Sequence, residues 1–317
     1  MKRVLVLEKS TVKYKAIFDR LFENEALPNV EFYYSHNPHT EKRCDYLLAQ
    51  PDFAAQYLYD KSQDNVPYWI QSSWAGVESL VPTLCHYPNI RLTGLKDFFG
   101  PLIAEYTFNY LLEAQRNSAI FRKQQINQTW TDDASTAGTL GGKTITILGA
   151  GSIGRYVAKI AKAFNMSVIG VSRRQITTLE NFDLMYSNIN DAVADADYVL
   201  ACLPDTNATK NIICEKTFSR MKRSSTIINV GRGASLHIPD LLTALRSKQI
   251  FKAVLDVFPI EPLLPNDPLW GEPNLTITPH IAAISTPTKV AEAFLANLKQ
   301  IEKGEDLFNL IDVKQGY

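Results

Sequence analysis

The sequence predicts an α/β fold in two domains, each organised on a doubly wound parallel sheet, and three observations carry that prediction. The chain has 317 residues, against the roughly 150 that one domain takes. Short apolar runs alternate with helix-like stretches along most of its length, which is the pattern of strands joined by helical crossovers. One strand-to-helix turn, Gly149-Ala150-Gly151-Ser152-Ile153-Gly154, carries glycines at the spacing of a phosphate-cradling loop.

Each element follows from its local pattern. Up to about residue 100, apolar runs at Val4 to Leu7, Val30 to Tyr34, Asp45 to Leu48, Tyr68 to Gln71 and Ile90 to Thr93 read as strands. Between the first two, Val12 to Glu23 has helical spacing. Pro101 then opens a long helix with Ile103, Tyr106, Tyr110, Leu111 and Ala114 at helical intervals, proline being suited to a first turn whose N–H groups lack intrahelical partners. This helix joins the two domains. Residues 124–142, rich in Gln, Thr, Asp and Gly around a lone aromatic, Trp130, lose periodicity and read as an extended arm ending at Gly141-Gly142. From 143 to 280 the alternation resumes with six strands: Thr144 to Leu148, Ser167 to Val171, Tyr198 to Cys202, Thr226 to Val230, Ala253 to Val257 and Leu275 to Thr278. Ligands of doubly wound sheets lie beyond the carboxyl ends of the strands, so the residues just after each strand are the candidates for function.

Composition excludes several functions. Hydrophobic residues at 45% and charged residues at 21% are ordinary globular proportions, sufficient for a substantial core. The 33 basic and 33 acidic residues balance, leaving no global field for nucleic acid or an anionic membrane, so any anion must be bound locally. The apolar start Val4-Leu5-Val6-Leu7 is ended by Glu8 and Lys9, too soon for a secretion signal. No run approaches the roughly 20 apolar residues of a membrane span. Cys44, Cys85, Cys202 and Cys214 lack CxxC pairing and read as small buried hydrophobes in a reducing, cytoplasmic setting. No HExxH motif or Cys/His cluster has ligand spacing, so no metal is expected.

The glycine turn has the context that dinucleotide binding requires, a strand before it and an amphipathic helix after it with Ile153, Val157, Ile160, Ala161 and Phe164 on one face. Gly149, Gly151 and Gly154 permit a tight turn, approach of backbone to a pyrophosphate, and close helix-to-sheet packing, while Ser152 and Ile153 open the helix whose N-terminus faces the phosphates. A purely structural glycine turn is the competing reading. The second strand ends in Ser172-Arg173-Arg174, where NAD binding calls for an acidic residue to hold the ribose 2′-hydroxyl. Guanidinium groups and a hydroxyl suit a 2′-phosphate instead. NADP(H) is therefore the expected cofactor, with NAD(H) still open and solvated surface charge the bland alternative for the arginines. The third strand runs into Leu203-Pro204, where proline stops the ladder and shapes a wall beside the ribose and nicotinamide.

Three further strand ends carry charged chemistry. The fourth ends Asn229-Val230-Gly231-Arg232-Gly233, an arginine between glycines that suits a substrate carboxylate or, equally, a structural ion pair. After the fifth come Asp256 and the proline-stiffened loop Pro259-Ile260-Glu261-Pro262, and the sixth ends Thr278-Pro279-His280, so Glu261 and His280 follow adjacent strands. An imidazole beside a carboxylate is a proton donor at neutral pH. Reduction of a keto group needs a hydride, a proton for the developing alkoxide and a cation for the substrate carboxylate, which NADPH, His280 and Arg232 would supply. His36, His39, His86 and His237 read as structural, since none follows a strand of this sheet beside an acidic partner.

The order of these motifs, with His280 in Thr-Pro-His-Ile-Ala-Ala and Glu261 in Asp-Val-Phe-Pro-Ile-Glu-Pro-Leu, resembles the D-isomer-specific 2-hydroxyacid dehydrogenases, and most closely their NADPH-using glyoxylate/hydroxypyruvate reductase branch. Trp74-Ala75-Gly76-Val77-Glu78, the Ala104-Glu105-Tyr106 helix start and the terminal Gly316-Tyr317 extend the resemblance over nearly the whole chain. It implies two Rossmann-like domains, a discontinuous substrate domain of residues 1–100 plus 285–317 and a cofactor domain of residues 101–284, hinged near 100 and 284. It also implies Arg232 as substrate anchor, His280 as acid/base, Glu261 as its partner, and Asp256 orienting the nicotinamide amide. The Ala75, Gly76 and Val77 backbone, beside Trp74, would receive the substrate carboxylate, and a homodimer would form through the long helix and the Trp130 arm. The sequence departs from the family at Ser172-Arg173-Arg174 and at Phe98-Phe99-Gly100-Pro101, whose aromatics would narrow the pocket or favour a bulkier, more apolar 2-oxo acid such as phenylpyruvate. The same fold also serves nucleotide-sensing corepressor-like proteins. The intact Arg232, Glu261 and His280 set argues against that class.

Overall fold

The computed structural model describes residues 1–22, 30–59, 61–95, 98–130, 137–173 and 176–313. The chain divides into two units, Met1–Lys96 with Ser285–Tyr317, and Asp97–Ile284.

The first unit is built on five parallel strands, β1 (Lys2–Leu7), β2 (Val30–Ser35), β3 (Tyr46–Ala49), β4 (Trp69–Ser72) and β5 (Arg91–Thr93). Their order is β2-β1-β3-β4-β5. Val4 to Leu7 and Tyr46 to Ala49 are buried throughout, as expected where helices cover both faces of a parallel sheet. The C-terminal segment returns to this unit as the helix Pro287–Lys303, capped by the Thr286 hydroxyl at its start and by left-handed Gly304 (φ 69°) at its end. Its Phe294 stacks on Trp69 with ring centroids 4.7 Å apart. Each such burial is worth roughly 1.5–3 kcal/mol. Asn297, also buried, donates to Oε1 of Gln71 (3.1 Å) and accepts the Phe308 N–H (2.7 Å), so the returning helix is fixed by polar bonds as well as packing.

The second unit carries seven parallel strands, β6 (Thr144–Leu148), β7 (Ser167–Val171), β8 (Leu184–Tyr186), β9 (Tyr198–Ala201), β10 (Thr226–Asn229), β11 (Lys252–Leu255) and β12 (Leu275–Ile277). The order is β12-β11-β10-β9-β6-β7-β8. The expectation of six strands is corrected by β8, an edge strand of three partly exposed residues, too short for alternation to register in sequence. Pairing aligns Val171, Leu148, Ala201, Asn229, Leu255 and Ile277 in one row. Ser172, Gly149, Cys202, Val230, Asp256 and Thr278 therefore form a single edge one residue beyond it. The chain order reverses between β6 and β9, the switch point at which such sheets bind ligands.

The Ser152–Ala163 helix buries Gly154, Val157, Ala158 and Ala161, an i, i+3, i+4, i+7 stripe. Ile160 is only half-buried, and Phe164, beyond the helix, stacks on Phe108 at 5.0 Å. The long helix runs Phe99–Arg116, so it begins before Pro101, which still lies in the first turn. Phe99 is buried in that helix at 5% exposure, whereas Phe98 before it is half-buried. A second helix, Ser118–Ile126, extends into the stretch read as the start of the arm, while residues 131–136 of that arm and the terminal Gly316-Tyr317 lie outside the described residues. The cysteines also depart from expectation, Cys85 being exposed at the end of a short helix and the others half-buried. Among the described residues no helix is long and apolar enough to cross a membrane.

Candidate active site

At the switch point Gly149 adopts φ +111°, and a Cβ there would lie 2.7 Å from the Cys202 carbonyl oxygen. Only glycine fits both the conformation and the space. A Cβ on Gly154 would strike the Gly149 carbonyl oxygen, so this glycine sets how closely helix and turn approach. Gly151 differs: a Cβ there would meet nothing, so its open side leaves the backbone accessible. No side chain caps the helix at Gly151, and its first-turn N–H groups can serve a phosphate. This cradle fits a dinucleotide pyrophosphate. The Cys202 thiol donates to the carbonyls of Leu148 (3.4 Å) and Gly149 (3.2 Å), and burial pushes it up to about 12, which keeps it a neutral prop of the turn.

Beyond β7, Ser172 is half-buried, its N–H bonded to the Tyr186 carbonyl (3.0 Å), and Arg173 is exposed. Arg174 lies outside the described residues. Leu203 packs on the sheet core, and Pro204 has its carbonyl held by the Thr209 hydroxyl (2.6 Å). A Cβ on Gly231 would lie 2.7 Å from the backbone of Leu203, so the loops after β9 and β10 are in close contact.

The loop that presents Arg232 is shaped by Asn229, buried at the end of β10. Its Oδ1 accepts the Gly231 N–H (3.1 Å) and its Nδ2 donates to the Arg232 carbonyl (3.2 Å). Ser235 donates to the same carbonyl at 2.7 Å. Val230, half-buried, bonds the Ala201 carbonyl through its N–H (3.0 Å). The half-buried Arg232 side chain places Nη1 2.8 Å from the Gly231 carbonyl. Gly233 packs so tightly that a Cβ would strike the Phe258 carbonyl group, bringing the arginine loop against the loop after β11.

His280 and Glu261 meet at that second loop. Nδ1 of His280 lies 2.7 Å from Oε2 of Glu261, and the other carboxylate oxygen accepts the Phe258 N–H at 2.8 Å. The imidazole side chain is 51% exposed, leaving Nε2 available to a ligand. Its backbone is left-handed (φ 55°), and buried Asp256 holds it there. Asp256 accepts the Thr278 hydroxyl (2.6 Å) and the N–H groups of Ile281 (2.9 Å) and Ala282 (2.8 Å), while its carbonyl accepts the His280 N–H (2.9 Å). Because Thr278 donates to Asp256, its oxygen accepts the phenol proton of Tyr106 at 2.6 Å. Burial raises the Tyr106 phenol well above its usual range, so it remains a donor.

Sequence reading missed Asn229, Tyr106 and Thr278. Asn229 and Thr278 follow the strand-end rule and were open to it, whereas Tyr106 lies in another element with no local signal. Arg232, Asp256, Glu261, His280 and the glycine turn share one edge of the second unit. Trp74 to Val77 instead follow β4 in the first unit, with Trp74 and Ala75 exposed and Val77 buried. There the N–H groups of Ala75, Gly76 and Val77 donate to no acceptor among the described residues.

A pyrophosphate cradle at the switch point, with a histidine–carboxylate pair and an arginine on the next strand ends, defines the class as a dehydrogenase that uses a nicotinamide dinucleotide. The family model described as "D-isomer specific 2-hydroxyacid dehydrogenase, NAD binding domain" matches residues 108–282. The glyoxylate/hydroxypyruvate reductase A of Serratia proteamaculans is 33% identical, the match covering 77% of this chain and 79% of that protein. A D-isomer specific 2-hydroxyacid dehydrogenase family protein from Aeromonas salmonicida superposes with TM-score 0.88 and 36% identity over 98% of this chain and 99% of that one. An NADPH-dependent glyoxylate/hydroxypyruvate reductase from Sinorhizobium meliloti, solved with NADP and sulfate, gives TM-score 0.84 and 25% identity over 100% of both chains. The chain belongs to the D-isomer specific 2-hydroxyacid dehydrogenase family. It is an NAD(P)-dependent dehydrogenase of small 2-hydroxy or 2-oxo acids.

Proposed function

We propose that the protein reduces glyoxylate, hydroxypyruvate or a 2-oxo acid of similar size to the D-2-hydroxy acid, with NADPH as cofactor and His280 as the acid. The observation that carries this reading is the 2.7 Å contact between His280 and Glu261 on a turn pinned by Asp256. With Nδ1 engaged by the carboxylate, Nε2 is the nitrogen that gives its proton to the substrate carbonyl oxygen as that oxygen gains charge. NADPH, when bound, supplies the hydride to the carbonyl carbon. Arg232 orients the substrate carboxylate through its planar fork. In the first unit, the N–H groups of Ala75, Gly76 and Val77, beside Trp74, form a seat suited to a substrate carboxylate. Asp256 adds a polar wall for the nicotinamide amide, with Leu203, Pro204, Val230 and Gly231 lining the cofactor's other contacts. Ser172 and Arg173, with Arg174, take the 2′-phosphate. The Serratia reductase and the NADP-bound Sinorhizobium structure support the substrate class and the cofactor choice. Exposed Leu112, Ile120, Ile126 and Trp130 (36%, 49%, 76% and 93%) support a homodimer formed through the long helix, the helix that follows it and the Trp130 arm.

A bulkier substrate is the second reading, favoured by half-buried Phe98 and by Ile281, 48% exposed beside His280. Initial rates with glyoxylate, hydroxypyruvate and phenylpyruvate, each with NADPH and NADH, separate these readings. Highest kcat/KM for glyoxylate or hydroxypyruvate with NADPH is expected. A clear preference for NADH overturns the cofactor assignment, and a preference for phenylpyruvate overturns the substrate size.

A further inference from the structure

The smaller sheet has its own switch point. Its order β2-β1-β3-β4-β5 reverses between β1 and β3, and the crevice beyond those strand ends is where a flavodoxin-like sheet presents a ligand. Pairing puts Leu7, Ala49 and Ser72 in one row, so the next residues, Glu8, Gln50 and Ser73, lie together at that crevice. All are buried, at 7%, 4% and 2% exposure. Ser73 donates its hydroxyl to Oε1 of Glu8. The Ser73 N–H bonds the Ala49 carbonyl at 3.0 Å. Ser73 is thus fixed from both sides at the root of the Trp74–Val77 segment, and the Ser72 hydroxyl closes the next turn by bonding the Trp74 carbonyl (2.8 Å) and N–H (3.1 Å).

We infer that Glu8 is a positioning residue for the substrate carboxylate: by clamping Ser73 it holds the Ala75, Gly76 and Val77 N–H groups in the shape that receives an anion. This rests on the reading of that segment as a carboxylate seat given above. A buried acid is costly unless its bonds are met, and here the Ser73 hydroxyl meets one of them while the Ser73 N–H ties the same loop to the end of β3. Burial also holds the Glu8 carboxyl above the usual carboxylate range, which lessens the negative charge beneath a loop meant for an anion. The neighbouring ionisable groups are Lys9, whose charge opposes that rise, and buried Tyr14.

Steady-state kinetics of Ser73→Ala, Glu8→Gln and the double variant test the assignment. Ser73→Ala is expected to raise KM for glyoxylate about tenfold, the scale of one lost hydrogen bond, and Glu8→Gln, which keeps one acceptor oxygen, to raise it by less. The kcat and the KM for NADPH should stay within about twofold. Since the two residues act through one contact, the double variant should be no worse than the poorer single one. Unchanged KM for glyoxylate, a parallel fall in kcat, or fully additive losses would overturn the role of Glu8. Ser73→Ala removes only a hydroxyl and carries the test by itself if Glu8→Gln does not fold. Wild-type protein inactive on every 2-oxo acid overturns the carboxylate seat and this inference together, whereas active wild type with unaltered variants overturns the inference alone.

Discussion

At the scale of single residues, the proposed chemistry depends on a histidine in a backbone conformation that costs a non-glycine residue roughly 1–2 kcal/mol. Asp256 offsets that cost by gathering the Thr278 hydroxyl and the N–H groups of Ile281 and Ala282 onto one buried carboxylate. Asp256→Asn replaces one acceptor oxygen with an amide that must face these donors. We expect it to lower stability by about 2–3 kcal/mol, read as a shift in urea midpoint, and to lower kcat as the imidazole loses its fixed aim; an unshifted midpoint would show that the turn holds itself. His280 and Glu261 were legible in sequence because both follow strand ends of one sheet. The left-handed turn was not, because it depends on the directions of the Ile281 and Ala282 N–H groups, which no side-chain pattern encodes. Tyr106 was hidden for a different reason, since its contact with Thr278 spans distant stretches of chain.

Among elements, strand register does most of the positioning. Because Leu148, Ala201, Asn229, Leu255 and Ile277 align across the sheet, the glycine turn, the arginine loop and the His280 turn emerge at one level. The apolar runs made the strands legible to within a residue or two, whereas β8 escaped because three edge residues carry too little pattern. Lys162 of the cofactor helix reaches Asp183, just before β8, at 2.8 Å, and the same carboxylate accepts the Val168 N–H at 2.7 Å. The Lys162 contact first, and then the Val168 N–H, hold the Asp183 carboxyl below its ordinary value. A depressed folded pKa gives stability that is present above the unfolded value, 3.8, and is lost as pH falls through the folded one. Since the pair is partly exposed, Asp183→Asn should cost under about 1 kcal/mol at neutral pH. In urea melts that difference should shrink as acid protonates the wild-type carboxyl; a penalty constant with pH would assign the effect to packing.

For the whole molecule, the C-terminal helix makes the first unit discontinuous in sequence. Phe294 and Asn297, with Val290, Ala291 and Leu298, complete a core whose remaining strands come from the first hundred residues. Phe294→Ala should destabilise that unit by about 3–5 kcal/mol and split calorimetric unfolding, its own transition falling while that of Asp97–Ile284 stays in place. A uniform fall of one transition would mean the units melt as one. The return of the chain could be anticipated only through family resemblance, because the amphipathic pattern of residues 287–303 shows a buried face without showing what buries it. In the proposed reduction of a 2-oxo acid, His280 is the proton donor. The measurement that tests it most directly is glyoxylate turnover by His280→Gln at saturating NADPH, with NADPH affinity determined on the same sample. A fall in kcat of about 10²–10⁴-fold with unchanged NADPH affinity is predicted, whereas turnover near wild type, or a loss that only tracks weaker NADPH binding, would contradict it.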